Sequence, residues 1–164
     1  VGSPFSALVN GFIKDAELFK NNQLGLPAGK FTFNNPQPNE SEALHSGISI
    51  QLYKEHLANL ERLYKGQDLN GTDGVGLDDY LQYLGATIEL NGATENLNEL
   101  ILGAFNTLKE KSNLLTGTMN EAIENQKDII DELYSKTKEL VIYLKVDMTY
   151  AFDVMIMYSE NDAG

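Results

Sequence analysis

At 164 residues the chain is long enough for one domain with a real core and too short to expect two. Its net charge of −12 argues against a nucleic-acid backbone or an anionic membrane surface as partner, since neither gains from an acidic protein. Cysteine is absent, which removes disulfides, thiolate nucleophiles and zinc knuckles together, and a single arginine, Arg62, cannot build a bidentate anion clamp.

The opening "VGSPFSALVNGFIKD" carries neither an initiator methionine nor a basic-then-apolar signal layout. The expectation is a processed product or a piece of a longer protein. No run of about 18 apolar residues occurs, so no transmembrane segment is expected. Phe5 to Phe19 predicts a first helix. "NNQLGLPAGKFTFNNPQPN", Asn21 to Asn39, is rich in proline and glycine and predicts a long loop between the first two helices. The alternation in "KFTF" is too short and isolated to make a strand. Ser41 and Glu42 behind Pro38 predict the start of a second helix. Its apolar positions are Ile50, Tyr53, Leu57, Leu60 and Tyr64, and Gly66 ends it.

The next stretch, "GQDLNGTDGVGLDDYL", invites a calcium-loop reading with Asp68 at position 1, Asn70 at 3, Thr72 at 5 and Asp79 at 12. That register puts Asp73 where the sharp turn needs glycine, and a short aspartate where a bidentate glutamate is needed. A solvated loop with an aspartate capping the next helix is the better reading. Asp78 to Ile88 predicts a short helix. Leu97, Leu100, Ile101, Ala104, Phe105, Leu108 and Leu115 then form a stripe with Thr94 placed to cap it.

After a short turn at Gly117, one stripe runs from Met119 through Ile123, Gln126, Ile130, Leu133, Thr137, Leu140, Leu144, Met148 and Ala151 to Met155. A helix of about 35 residues would be about 50 Å long and must lie along a bundle. The fold class is therefore all-α. It is an up-and-down helical bundle over residues 1–164 as a single domain, with one long C-terminal helix and a Pro/Gly-rich loop between the first two helices. Beyond Leu140 that helix is apolar on more than one face, through Val141, Tyr143, Val146, Phe152, Val154 and Ile156. An exposed apolar patch over 141–156 is expected in this chain alone, covered by another half of the parent protein or by a second copy.

The side chains that could carry chemistry form no constellation. Neither His45 nor His56 stands in H-x-x-E or H-E-x-x-H, so no metal site is expected in this chain. "HSGIS" lacks the strand that a nucleophile elbow needs. Glu121, Glu124, Asp128, Asp131 and Glu132 read as the wet face of the long helix. The N-x-S/T matches at Asn39 and Asn70 mark exposed loops.

Three segments carry a family resemblance. They are "GVGLDDYLQYLGA", "LPAGKFTFNNPQPNESEALHSGISIQL" and "LKVDMTYAFDVMIMYSENDAG". Together they resemble the C-terminal half of the imelysin family, in particular the secreted, often lipid-anchored members of gut and related Bacteroidetes. The run Gly74 to Leu81 is the most specific piece, and Gly76, Leu77, Asp78, Asp79 and Tyr80 within it are expected to be structural. The tail departs from the family's acidic ending at Glu160 and Ala163.

The resemblance implies two related helical bundles with a site near their interface. The family's G-x-H-x-x-E motif belongs to the N-terminal half and has no counterpart here. Iron or another divalent metal would accordingly belong to the full-length parent, with no cofactor in this chain. Glu42, His45, Ser46, Gly47 and Ser49 fall on the family's "E-a-Y-Y-S-g-i-S" stretch, with His45 replacing an aromatic, and are nominated as site-wall residues. The implied role is a binding or structural module in iron or haem uptake, located in the periplasm or at the outer membrane or cell surface of a Gram-negative bacterium. The alternatives are half of an insulin-cleaving type of metallopeptidase and a purely structural docking domain.

Overall fold

Ser3 starts the first helix: its hydroxyl accepts from the Ser6 amide, and Pro4 comes next at a position where a missing N–H costs nothing. In the computed structural model, which describes residues 2–157, this helix (α1, Pro4–Leu18) buries Val9, Phe12, Ile13 and Ala16. It does not stop where the loop was expected. The path widens into π-helical turns over Phe19–Gly25 and carries Phe19 and Leu24 into the core.

The remainder of the Pro/Gly-rich stretch is a stapled turn. Gly29 has φ +73°, and a Cβ there would lie 2.1 Å from the Asn35 carbonyl oxygen. Lys30 reaches across to Asp131 at 2.6 Å, which ties the turn to the far end of the sequence. The second helix starts later than the sequence suggests. Pro38–Glu40 make one 3₁₀ turn, and Ala43 and Gly47 both take positive φ, which no α-helix contains. Helix α2 runs Ser49–Tyr64 with every position of its predicted stripe buried.

Helix α3 (Leu77–Leu84) is shorter than expected because Gly85, at φ +60°, closes it with a Schellman pair: Gly85 N–H to Gln82 O and Ala86 N–H to Leu81 O, both 3.1 Å. The chain then forms a two-stranded antiparallel hairpin, β1 (Thr87–Leu90) and β2 (Ala93–Asn96). Asn91 and Gly92 take φ of 54° and 83° in the two-residue turn that joins them. The described residues are thus mostly helical with one small hairpin, so the reading without strands is incomplete at this point. Thr94 lies in β2 and donates to Glu89. The cap of the next helix, α4 (Leu97–Ser112), is Asn96, which accepts from the Glu99 amide.

The long C-terminal helix is divided. Thr118 and Glu121 form a capping box on α5 (Met119–Asn125), and α6 (Lys127–Ile142) restarts after Gln126 at φ −126°, ψ 39°. Gln126, a polar interruption of the stripe, turns its amide back to hold the main chain of Thr116 through both its oxygen and its nitrogen. Beyond Ile142 the helix widens again into π turns over Tyr143–Met148 and finishes as α7 (Thr149–Ala151). Thr137, the other interruption, is fully buried and donates to the Leu133 carbonyl.

The core lies where α4 packs on both α2 and α6, with α1 closing the other side. Phe12, Tyr64 and Phe105 form an aromatic column through α1, α2 and α4. At its edge Glu61, 8% exposed, is held by Lys65 at 2.9 Å and by Lys109 of α4 at 2.7 Å. Burial alone would push its carboxyl up. Hydrogen bonds from Lys109 and Lys65 outweigh that and keep it below the usual value near 4.5.

A depressed carboxyl stabilises the fold above its unfolded pKa, and that contribution disappears as pH falls through the lower folded value. Glu61→Gln should therefore lower stability by about 2 kcal/mol at neutral pH, and the gap to wild type should narrow as the pH falls below the usual glutamate range and through the lower folded value. Asp78 and Asp147, which burial pushes up, act in the opposite sense but are common to both proteins. Urea unfolding across this range is the measurement, and a gap independent of pH would contradict the role assigned to the cluster.

Candidate functional site

The neck of the loop after α2 positions everything around it. Gly66 has φ +64°, and a Cβ there would lie 2.5 Å from the Val75 carbonyl oxygen; one at Gly76 would lie 2.4 Å from the carbonyl carbon of Lys65. Main chain touches main chain at these points, so the chain leaves α2 and re-enters α3 through a gap that admits no side chain. Within the loop, Asp68 Oδ1 accepts from the amides of Asn70 and Thr72, each at 2.8 Å. Those hydrogen bonds, chiefly the one from Thr72, hold its carboxyl below the usual aspartate range. The carboxylate that would open a calcium loop instead organises its own turn.

Because the neck fixes α3 against α2, an apolar groove forms between α1, α2 and α3. Its wide end, about 780 Å³, is lined by Phe5, Leu63, Val75 and Leu77 with Tyr80 and Tyr83. It continues past Leu8 into a narrower part of about 320 Å³ bordered by Gly11, Phe12 and Asp15. Tyr80 is stacked on Phe152 at 5.0 Å and meets the edge of Phe5 at 5.4 Å, and Tyr83 stands beside it at 84% exposure. Of the groove's lining Leu77 is buried, while Leu8 and Leu63 are each 59% exposed on its sides.

Two carboxylates flank the groove. Asp79 accepts from the Gly76 amide at 2.9 Å and thereby caps α3. Asp15 faces His56 at the other end, with both oxygens 3.2 Å from Nε2, and Phe19 sets its ring edgewise to that imidazole. Asp78 lies beside the buried Tyr64 phenol. Burial, and secondarily that carboxylate, push the phenol up.

The residues read from the sequence divide between two places. Gly76, Leu77, Asp79 and Tyr80 line the groove and Asp78 sits behind it. Glu42, His45, Ser46 and Ser49 do not line the groove; they lie in and just after the turn that leads into α2. Ser49 donates to the Glu42 carbonyl, Ser46 to the Ala43 carbonyl, and Gln23 binds the Glu42 carboxylate at 2.7 Å. Each of those polar groups closes the turn, and His45 is exposed on it.

The patch expected over 141–156 is also redistributed. Val141, Tyr143 and Phe152 are buried, and the exposed apolar positions are Ile142, Val146 and Tyr150, four apart, with Met155 beyond them. The tail after Met157, with Glu160 and Ala163, lies outside the described residues. Among the described residues no group of three or more His, Asp or Glu could hold a metal ion, and no helix is long and apolar enough to cross a membrane.

Phe5, Leu8, Leu63 and Tyr83 were not singled out in the sequence. The available signal was their position off the core stripes, since Leu63 comes three residues after Leu60 yet falls outside the Leu57–Leu60–Tyr64 face. Phe33, fully exposed at φ +54° in the turn after Gly29, is a further exposed aromatic side chain. Comparison with family models, with curated proteins and with solved structures finds no match to this chain.

The loop geometry yields two measurements. Millimolar calcium should leave the thermal midpoint and far-UV spectrum unchanged; a ligand at a hundred times its Kd would stabilise by about 2.7 kcal/mol, a shift of roughly 3 °C or more. A shift of that size, lost in Asp68→Ala, would show that the carboxylate does bind the ion. Separately, Gly71 and Gly66 both have positive φ, but a Cβ meets nothing within 4 Å at Gly71. Gly71→Ala should cost about 1 kcal/mol and Gly66→Ala at least about 1–3 kcal/mol more, read by urea unfolding. Equal costs would mean the neck is not tight.

Proposed function

We propose that this chain is a binding and docking module: one helical bundle, the C-terminal half of a two-bundle imelysin-like protein of the periplasm or cell surface that serves iron or haem uptake. The observation that supports this most directly is the placement of the Gly74–Leu81 run. Val75, Gly76, Leu77, Asp79 and Tyr80 of that run, the most specific piece of the resemblance, line an exposed apolar groove rather than a reactive pocket. A groove of that kind suits a face that meets a second bundle.

The turn holding Glu42, His45, Ser46 and Ser49 is the part of this half that would contribute to a site shared with the N-terminal bundle. Metal ligands, in this reading, come from that other bundle. A metallopeptidase activity would likewise depend on it, since among the described residues no group of three or more His, Asp or Glu could hold a metal ion.

Calorimetric titration of iron and of haem into the longer protein and into this chain tests the proposal. The longer protein should bind, and this chain alone should bind roughly a hundredfold more weakly or not at all. Absence of binding by the longer protein would remove the uptake role, and full affinity in this chain alone would remove the division of labour between halves.

A further inference from the structure

We propose that the groove between α1, α2 and α3 receives a basic amphipathic helix from a partner. The inference deepens the docking role above and rests on it in one respect only, that this face meets another polypeptide.

The groove has the dimensions of a helix seat. It runs along α1 from Phe5 to Asp15, ten residues or about 15 Å, which matches about three turns of a second helix. Its sides are the exposed Leu8, Leu63 and Tyr83, large apolar surfaces of the kind on which the apolar stripe of a docked helix packs. Gly11 narrows nothing, because a Cβ built there meets no atom within 4 Å, so a helix can approach α1 closely at that point.

Charge selects the partner. Among the described residues that line the two parts of the groove, the ionisable side chains other than tyrosine are Asp79 near the wide end and Asp15 at the narrow end; no lysine or arginine lines either part. Asp79 is exposed and uses one oxygen for its cap. Asp15 keeps 44% of its side chain accessible beyond its contact with His56. A helix with an apolar stripe and flanking lysines or arginines would bury the stripe on Leu8, Leu63 and Leu77 while meeting a carboxylate at each end. Its cations would also find the ring of Tyr83, which is 84% exposed. A second copy of this chain is the poorer occupant, since it brings the same charge of −12 to an acidic rim.

Fluorescence anisotropy with designed peptides tests the proposal on the chain itself. One peptide carries a leucine stripe with lysine flanks, a second replaces lysine by glutamate, and a third scrambles the first so that its charge is kept and its stripe lost. The lysine peptide should bind at least roughly tenfold more tightly than either of the others. Leu63→Ala combined with Tyr83→Ala should weaken it by roughly tenfold or more, with the thermal midpoint and far-UV spectrum confirming an intact fold. Asp15→Asn with Asp79→Asn should weaken the lysine peptide alone and flatten its salt dependence, whereas Val146→Ala, away from the groove, should change nothing.

Equal binding of the lysine and scrambled peptides would overturn the proposal, as would absence of binding or indifference to the groove variants. A concentration-dependent dimer in sedimentation, abolished by Tyr83→Ala, would assign the groove to a second copy instead. None of these outcomes depends on iron or haem binding, so the groove can fail while the uptake role stands, or the reverse.

Discussion

A buried phenol that must keep its hydrogen bond governs the arrangement of this molecule. Tyr64 is wholly inside, with Phe12 on one side and Phe105 on the other, and its hydroxyl donates to Asn98 Oδ1 at 2.6 Å. Leaving a buried hydroxyl unpaired costs about 1–3 kcal/mol, so Asn98 must remain where it is. Asn98 belongs to the first turn of α4, and the neighbouring Leu97 amide donates to the Ala86 carbonyl at 3.0 Å. That bond closes the base of the hairpin and fixes the C-terminal end of α3. The other end of α3 is pinned at the glycine neck two residues past Tyr64. Both ends of the groove wall thus descend from one side chain on the last turn of α2.

Legibility in the sequence depends on how strongly a pattern is tied to one surface. The stripes of α2, α4 and α6 are long and almost uniformly apolar, and from Met119 to Met148 the apolar positions of the predicted stripe are all buried. Elements whose identity rests on one or two residues were not legible. The hairpin has strands of four residues with little alternation, and its signal was the Asn91–Gly92 pair alone. The break at Gln126 depends on an amide reaching Thr116 ten residues back, which no periodicity encodes. The start of α2 depends on Ala43 adopting positive φ. The groove was hidden for a different reason: it is assembled from side chains that lie off the stripes of three elements, and only their packing brings them together.

The distribution of charge reflects a scarcity of cations. Lys30 and Lys127 meet Asp131, Lys65 and Lys109 meet Glu61, Lys111 meets Glu132, Lys136 meets Glu139, and Lys145 meets Glu17. Several of these join separate elements, as Lys30 does between the stapled turn and α6. The more exposed of these pairs, unlike the buried one at Glu61, add little stability each, but they localise the basic side chains. At the rim of the groove the lining carboxylates are Asp79 and Asp15, of which Asp15 meets His56 and no lysine or arginine lines either part. This is why an otherwise apolar groove carries a sign.

The glycine neck also separates the shape of the loop from the shape of the domain. Main chain at Gly66 and Gly76 touches across a gap too small for a methyl group, so the two strands of the neck are held whatever lies between them. The tip around Gly71 faces open space, and the entropy of closing such a segment rises by only about 0.6 kcal/mol for each doubling of its length. The tip is accordingly a natural attachment point, where a reporter or an epitope of modest size can be spliced in while the groove wall a few residues away keeps its form. The same property lets the loop lengthen or change its composition beside a groove wall that keeps its place.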